Sequence, residues 1–440
     1  MSAFLSHHLI KKYHKNSLLF LSVMLLQPIA KATIPHDSEN LITLGRSFFT
    51  IPWVVAPSAT TARDGLGPLF NANTCTSCHV DHGGAVVLNQ EGQPLRGLVF
   101  KLSQPSIDRQ KAQKGMPTID LVYGNQIAIN GTGAVLPEAA TKLKMHTKKI
   151  VFPDGSEQTL SYFEPYLDQL NYGKLDSKTK ISLRQPNILQ GLGLISDVPD
   201  EEIAAWADPE DKNQDGISGR VNYVYDMTTG KTVQGRFNWK ASQPSVLQQV
   251  ADAAANDMGL TNPLYPEELC TPAQTACQKA PIGRAGPLGH LDLPERRLHA
   301  IAAYVNAQPP LPSAPDNAQI KAGEKRFTAI GCVACHRPTL TTKNGQSIHP
   351  YSDFLIHDMG EELADARIEF DANEREWRTA PLWNMQQRIT AGQRFLHDAR
   401  AANIQEAILW HGGEAEQVKQ RFMTLPKAQR EQIIHFVETR

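Results

Sequence analysis

A chain of 440 residues has room for two or three domains, each with a hydrophobic core. Its 44 basic and 45 acidic side chains balance to a formal charge of -1. That balance argues against nucleic acid or an anionic membrane as a partner.

Lys11, Lys12 and Lys15 precede the apolar run Leu18 to Leu26, and Ala30 and Ala32 follow as small residues at alternate positions. This pattern predicts a cleaved signal peptide over residues 1–32. A membrane anchor would need roughly 20 apolar residues, and Gln27 and Pro28 stop the run early. The mature protein is expected in the periplasm, with no membrane span after cleavage.

Next come "LGRSFF" (Leu44 to Phe49) and the run Cys75-x-x-Cys78-His79, and the same order returns as "AGEKRF" (Ala322 to Phe327) before Cys332-x-x-Cys335-His336. Two thiols and the following imidazole at this spacing suit a covalently attached c-type haem. The thiols add to the vinyl groups and the histidine reaches the iron. A zinc held by all four thiols would span an unusual length of chain, and a redox dithiol lacks a thioredoxin-like setting. Two covalent haems are therefore expected, with His79 and His336 as iron ligands.

Between the two motifs, Asp211, Asn213 and Asp215 occupy positions 1, 3 and 5 of a loop like that of an EF-hand, with Gly216 at the turn. Asn222 stands where a bidentate glutamate would close it, so calcium competes there with an ordinary acidic turn. Cys270 and Cys277 are expected to close a small disulfide loop in an oxidising compartment. The segment "LPERRLHAIAAYV" (Leu293 to Val305) matches "LPKAQREQIIHFV" (Leu425 to Val437), each with an apolar face at helical spacing. A proline-rich stretch, residues 309–319, separates the halves and reads as a stiff linker. The expected architecture is mainly α. It has two tandem cytochrome c-like haem domains, 33–308 and 320–440, with an insertion enlarging the first.

"GLGPLFNANTCTSCH", "GRFNWKASQPSVLQQ", "YSDFLIHDMG" and "FLHDARAANIQEAILWHGGEA" resemble stretches of the di-haem oxidoreductase family of peroxidase-like or thiol oxidoreductases. The resemblance runs over nearly the whole mature length. More distantly, the chain resembles bacterial di-haem cytochrome c peroxidases and their relative that matures methylamine dehydrogenase. That likeness implies a peroxidase-type enzyme with Trp239 as electron relay, and Gln249 and Asp257 lining a peroxide pocket. Asp257 replaces a glutamate there, two residues closer to its glutamine. His411 takes the place of a methionine ligand, implying His336 and His411 together on the second iron, with Met359 as the rival. The first iron is left with an open position, His82 being too close to His79 to reach it. Arg184 and Arg378 recur once per half as candidate propionate anchors. Peroxide or another small oxidant is the implied substrate, with a redox protein as a donor. Oxidation of a thiol or protein side chain, or plain electron transfer serving iron or haem handling, are the competing functions.

Overall fold

The computed structural model describes residues 36–440 apart from 61, 105–114, 282 and 284–289. The expected signal segment, 1–32, lies outside the described residues. Among those described, no helix is long and apolar enough to cross a membrane.

Each half opens and closes on one helix pair. The helix His36–Thr50 packs on Glu295–Asn306, and Ala318–Ile330 packs on Lys427–Glu438. Asn317 caps the third of these by accepting hydrogen bonds from the Gln319 and Ile320 amides, which satisfies two otherwise unpaired N–H groups. The glycine shared by "LGRSFF" and "AGEKRF" explains why those stretches repeat. A Cβ at Gly45 would collide with the Ala300 carbonyl oxygen and Tyr304 Cβ, and one at Gly323 with the Gln432 carbonyl oxygen and Phe436 Cβ. Ala300 corresponds to Gln432, and Tyr304 to Phe436, in the two matched segments. The backbones meet at the same place in both halves, and only glycine leaves room for it.

The mainly α expectation is wrong. Among the described residues, 30% are helical and 19% lie in strands. The strands pair in two-stranded antiparallel ribbons, among them Val99–Ser103 with Lys180–Arg184, Ala140–Val151 with Glu157–Asp168, and Ile356–Asp358 with Glu376–Arg378. The long ribbon alternates exposed and covered side chains and turns through Asp154-Gly155, where Gly155 has φ +81°. Alternation around an Asp-Gly pair is a hairpin signal. A reading that follows the helical repeat passes over it, because the strands belong to the insertion and not to the repeated part.

The two hydrophobic cores interlock across the halves. The first, around Phe49, Trp53, Ile301 and Val305, also takes in Leu340, Phe354 and Trp383 from the second half. The second, around Phe327, Phe422 and Phe436, takes in Phe152, Leu160 and Trp239 from the first. The long hairpin supplies two of those three. It also pairs Asp154 with Arg430 at 2.8 Å and sets Tyr162 edge-on to Trp410. Cys270 and Cys277 are disulfide-bonded, Cα to Cα 5.8 Å. Their loop inserts the fully buried Gln274, which donates to Glu138.

Candidate functional site

The first Cys-x-x-Cys-His run is a single tight turn, Cys75–Ser77, capped by the Thr74 hydroxyl accepting from the Ser77 amide at 3.0 Å. The His79 amide bonds back to the Cys75 carbonyl at 2.9 Å, so both thiols and the imidazole leave one short segment. The second run repeats this with Cys332–Ala334 and a 2.9 Å bond from the His336 amide to the Cys332 carbonyl. The two imidazoles are oriented alike. His79 Nδ1 lies 3.1 Å from the Asn187 carbonyl oxygen, and His336 Nδ1 lies 2.8 Å from that of Tyr351. A carbonyl at Nδ1 fixes the proton there and leaves Nε2 as the donor to a metal. Burial pulls both imidazoles down to about 4, so each is neutral, the form that ligates. Burial pushes the thiols of Cys75, Cys78 and Cys332 up to about 12 and raises Cys335 as well, which argues against thiolate redox chemistry.

Cys75, Cys78 and His79 stand on the wall of a large cavity, about 1830 Å³ of space partly continuous with solvent. Trp239, Gln249 and Asp257 line the same cavity. The helix Val246–Met258, capped by Ser245, brings Gln249 and Asp257 to one face eight residues apart, with Asp252 between them. Gln249 Oε1 is buried without a hydrogen-bond partner. Asp257 is partly buried, and desolvation raises its carboxyl above the usual range, partly opposed by Lys101. Its Oδ1 accepts from Gln126 Nε2 at 2.6 Å. Lys101, Gln126 and Asp252 were not identified from the sequence. Lys101 and Gln126 come from the insertion, far from any motif. Asp252, one helical turn after Gln249, could have been found by its spacing.

Haem fits this cavity on the residues present. Two thiols and an oriented imidazole share one edge. Apolar walls come from Phe49, Trp53, Leu189, Met258, Leu260 and Ile301, and an unpartnered amide oxygen waits inside. Arg184 and Arg378 both line it. Arg184 is already bound to Asp365 at 2.5 Å and Glu369 at 3.3 Å, whereas Arg378 donates only to the carbonyls of Asn238 and Thr379. Arg388, also buried on this wall and not singled out in the sequence, donates to the Arg394 carbonyl.

Trp239 touches both halves. Its ring lines the cavity and belongs to the second core, and its Nε1 donates to the Gln185 carbonyl at 2.8 Å. Its own carbonyl accepts from the Arg378 amide at 2.9 Å, which sets it beside Trp377 in the chain of contacts. Trp377 stacks on His397 at 3.6 Å with Lys240 4.0 Å from its ring, a cluster with no sequence signature.

In the second half, His411 follows the helix Ile404–Leu409, with its Nδ1 2.7 Å from the Ala407 carbonyl oxygen. A charge on His411 is near enough to help lower the His336 pKa, after burial. His357 is a different kind of histidine. Both ring nitrogens face carboxylates, Asp353 at 2.9 Å and Glu414 at 2.7 Å, and Asp353 holds its pKa well above the usual value against the cost of burial. It belongs to the one group among the described residues that could hold an ion, Cys335 with Asp353 and His357. His82 Nε2 meets Tyr304 Oη at 2.6 Å, turned toward the helix pair.

In the Asp211 loop, Asp211 accepts the amides of Asp215 and Gly216, and Asp215 accepts that of Ile217. Asn222, at the closing position, is buried, donates to the carbonyls of Lys240 and Glu369, and brings no carboxylate to the loop.

The family model described as "Di-haem oxidoreductase, putative peroxidase" matches residues 157–440. That span holds Trp239, Gln249, Asp257 and the second Cys-x-x-Cys-His run, and leaves out the first. No curated protein matches the chain. A solved structure, Kuenenia stuttgartiensis hydrazine synthase pressurised with 20 bar xenon, aligns with 99% of this chain and 100% of that one. At 11% identity and a TM-score of 0.31 that likeness carries no argument.

Proposed function

Because the chain belongs to the di-haem oxidoreductase family, we propose that it is an exported peroxidase-type enzyme with a reactive N-terminal centre and an electron-supplying C-terminal one. The observation that carries this reading is convergence. Residues distant in sequence, Trp239, Gln249 and Asp257, meet Cys75, Cys78 and His79 around one cavity, and Trp239 reaches from it into the second core.

Cys75 and Cys78 would hold the first haem covalently with His79 on its iron. Cys332 and Cys335 would hold the second, with His336 and His411 as its iron ligands. Bound haem supplies redox-active iron, and the protein supplies position, proton supply and polarity. Asp257, whose carboxyl burial raises, can take a proton from one peroxide oxygen and hand it to the other, with Gln126 steadying the carboxyl. Such positioned acid–base help is worth typically about 10²–10⁴-fold. Gln249 offers its unpartnered oxygen to a peroxide proton, which orients the substrate. Trp239 is the aromatic common to both sites and the natural relay between them. Arg378, whose guanidinium meets no carboxylate within hydrogen-bonding range among the described residues, is available to a propionate. The Cys270–Cys277 disulfide supports an oxidising compartment, in keeping with export to the periplasm.

Mass analysis of the exported chain should find two covalent haem additions, and electron paramagnetic resonance of the ferric protein a high-spin signal beside a low-spin one. Asp257→Asn should lower the rate of reaction with peroxide by about 10²–10⁴-fold while leaving both signals in place. Two low-spin irons inert to peroxide would mean a carrier and not an enzyme. Faster turnover with a thiol than with peroxide and reduced cytochrome c would move the assignment to thiol oxidation.

A further inference from the structure

Glu414 lies three residues beyond His411, and each of its oxygens accepts two hydrogen bonds. Oε2 receives the Ser218 amide at 3.0 Å and His357 Nδ1 at 2.7 Å. Oε1 receives the Ser218 hydroxyl at 3.1 Å and the Asp358 amide at 3.0 Å. Four donors converge on one side chain. A carboxylate is the side chain that can serve all four, because it is acceptor-only and has about four lone-pair positions. An amide of the same shape would turn an NH₂ group toward two of those donors.

The clamp ties three distant segments. Ser218 comes from the insertion, His357 and Asp358 from the ribbon Ile356–Asp358, and Glu414 from the turn after His411. His357 is anchored in turn at Nε2 by Asp353, 2.9 Å away, and a Cβ at Gly219 would collide with its ring. Between His411 and the clamp stand only Gly412 and Gly413, which lie flat on the facing strand end. A Cβ at Gly412 would come within 2.9 Å of the Met359 carbonyl oxygen, and one at Gly413 would collide with that of Asp358. His411 is thus held from both sides, by the Ala407 carbonyl at its Nδ1 and by Glu414 through two glycines packed against the Met359 and Asp358 carbonyls.

We infer that Glu414 is the positioning residue that fixes His411 as the second iron ligand opposite His336, with Ser218 and His357 as its anchors. This rests on the reading of His411 as a ligand. It also accounts for why the stretches "YSDFLIHDMG" and "LWHGGEA" occur in one chain. They are two sides of one contact, and Met359, the other donor of ligating chemistry in reach of the chain, is held by its backbone against Gly412.

The test uses the haem-loaded protein and low-temperature electron paramagnetic resonance with near-infrared magnetic circular dichroism, not turnover. In the wild type the second haem should give a bis-imidazole low-spin signature. Glu414→Gln should cut that signature by more than half, in favour of high-spin or thioether-ligated iron, and added imidazole should restore it. The N-terminal signal of the same molecules should stay unchanged and so report an intact fold. A Glu414→Gln protein that keeps the full bis-imidazole signature overturns the proposal. If that variant does not fold, Ser218→Ala decides, since it removes one of the four donors. A partial loss of the same signature supports the clamp, and none overturns it. A wild type without the signature overturns the His411 assignment itself, a failure visible before any variant is made.

Discussion

Burial governs several single residues here, some with a counter-charge and some without. Lys240 is fully buried and donates to the carbonyls of Asn373 and Glu376, with Asp365 at 3.4 Å. Glu138 has no cation partner among the described residues. It is 3% exposed and accepts from the Ala128 amide at 2.6 Å and from Gln274. Burial pushes its carboxyl up to about 8 from an ordinary 4.5. The folded chain therefore keeps a proton that the unfolded chain releases. The stability this contributes is complete below about pH 4.5 and is lost as pH rises through 8, so stability falls with pH across that window. Glu268, at about 8, and Asp292, at about 6, act with the same sign, so the informative quantity is a difference between proteins. Thermal unfolding followed from pH 5 to 8 should show a flatter decline for Glu138→Gln than for the wild type. Parallel curves would exclude this role for Glu138.

At the scale of elements, the crossed helices and the long hairpin carry different burdens. Each helix pair closes on a glycine that touches a backbone carbonyl, at Gly45 and at Gly323. Adding a methyl group there cannot be absorbed by a flexible side chain, because the obstruction is main chain. Gly323→Ala should cost about 1–3 kcal/mol, the usual range for overpacking, measured as a lowered unfolding midpoint. No change would mean that the helices slide apart without penalty. The hairpin instead presses Phe152 and Leu160 into the second core and sets Phe152 under the Arg430 guanidinium, 4.1 Å from its ring. Through Gln158 it also meets Gln405 and Glu406 on the helix Ile404–Leu409, which precedes His411.

Across the whole molecule, the halves are legible as a repeat but do not behave as separable beads. Each core borrows apolar side chains from the other half, and Trp239 belongs to the cavity of one and the core of the other. A relay placed at such a junction is held by packing on both sides, and its Nε1 bond to the Gln185 carbonyl fixes the ring. Trp239→Phe keeps an aromatic of smaller size. It should leave both ferric haem spectra unchanged and slow electron exchange between the centres, as followed by stopped-flow oxidation of the pre-reduced second haem after mixing with peroxide. Unaltered exchange would assign the route to other residues, with the Trp377–His397 stack the first to examine.

The sequence by itself determined whatever depends on neighbours along the chain. The two Cys-x-x-Cys-His turns, the paired cysteines seven residues apart, the apolar faces of the terminal helices and the helical spacing of Gln249 and Asp257 all follow from local covalent geometry and period. Tertiary structure decided what depends on residues brought from elsewhere. The Asn187 and Tyr351 carbonyls that orient the two histidines are 108 and 15 residues from their partners. Gln126 reaches Asp257 across 131 residues, and Ser218 reaches Glu414 across 196. The strand content was hidden for a related reason. A repeat announces only what is repeated, and the ribbons lie largely in the part that is not. Whether a buried carboxylate meets four donors or none is set by loop closure over long stretches of chain, and no local pattern encodes it.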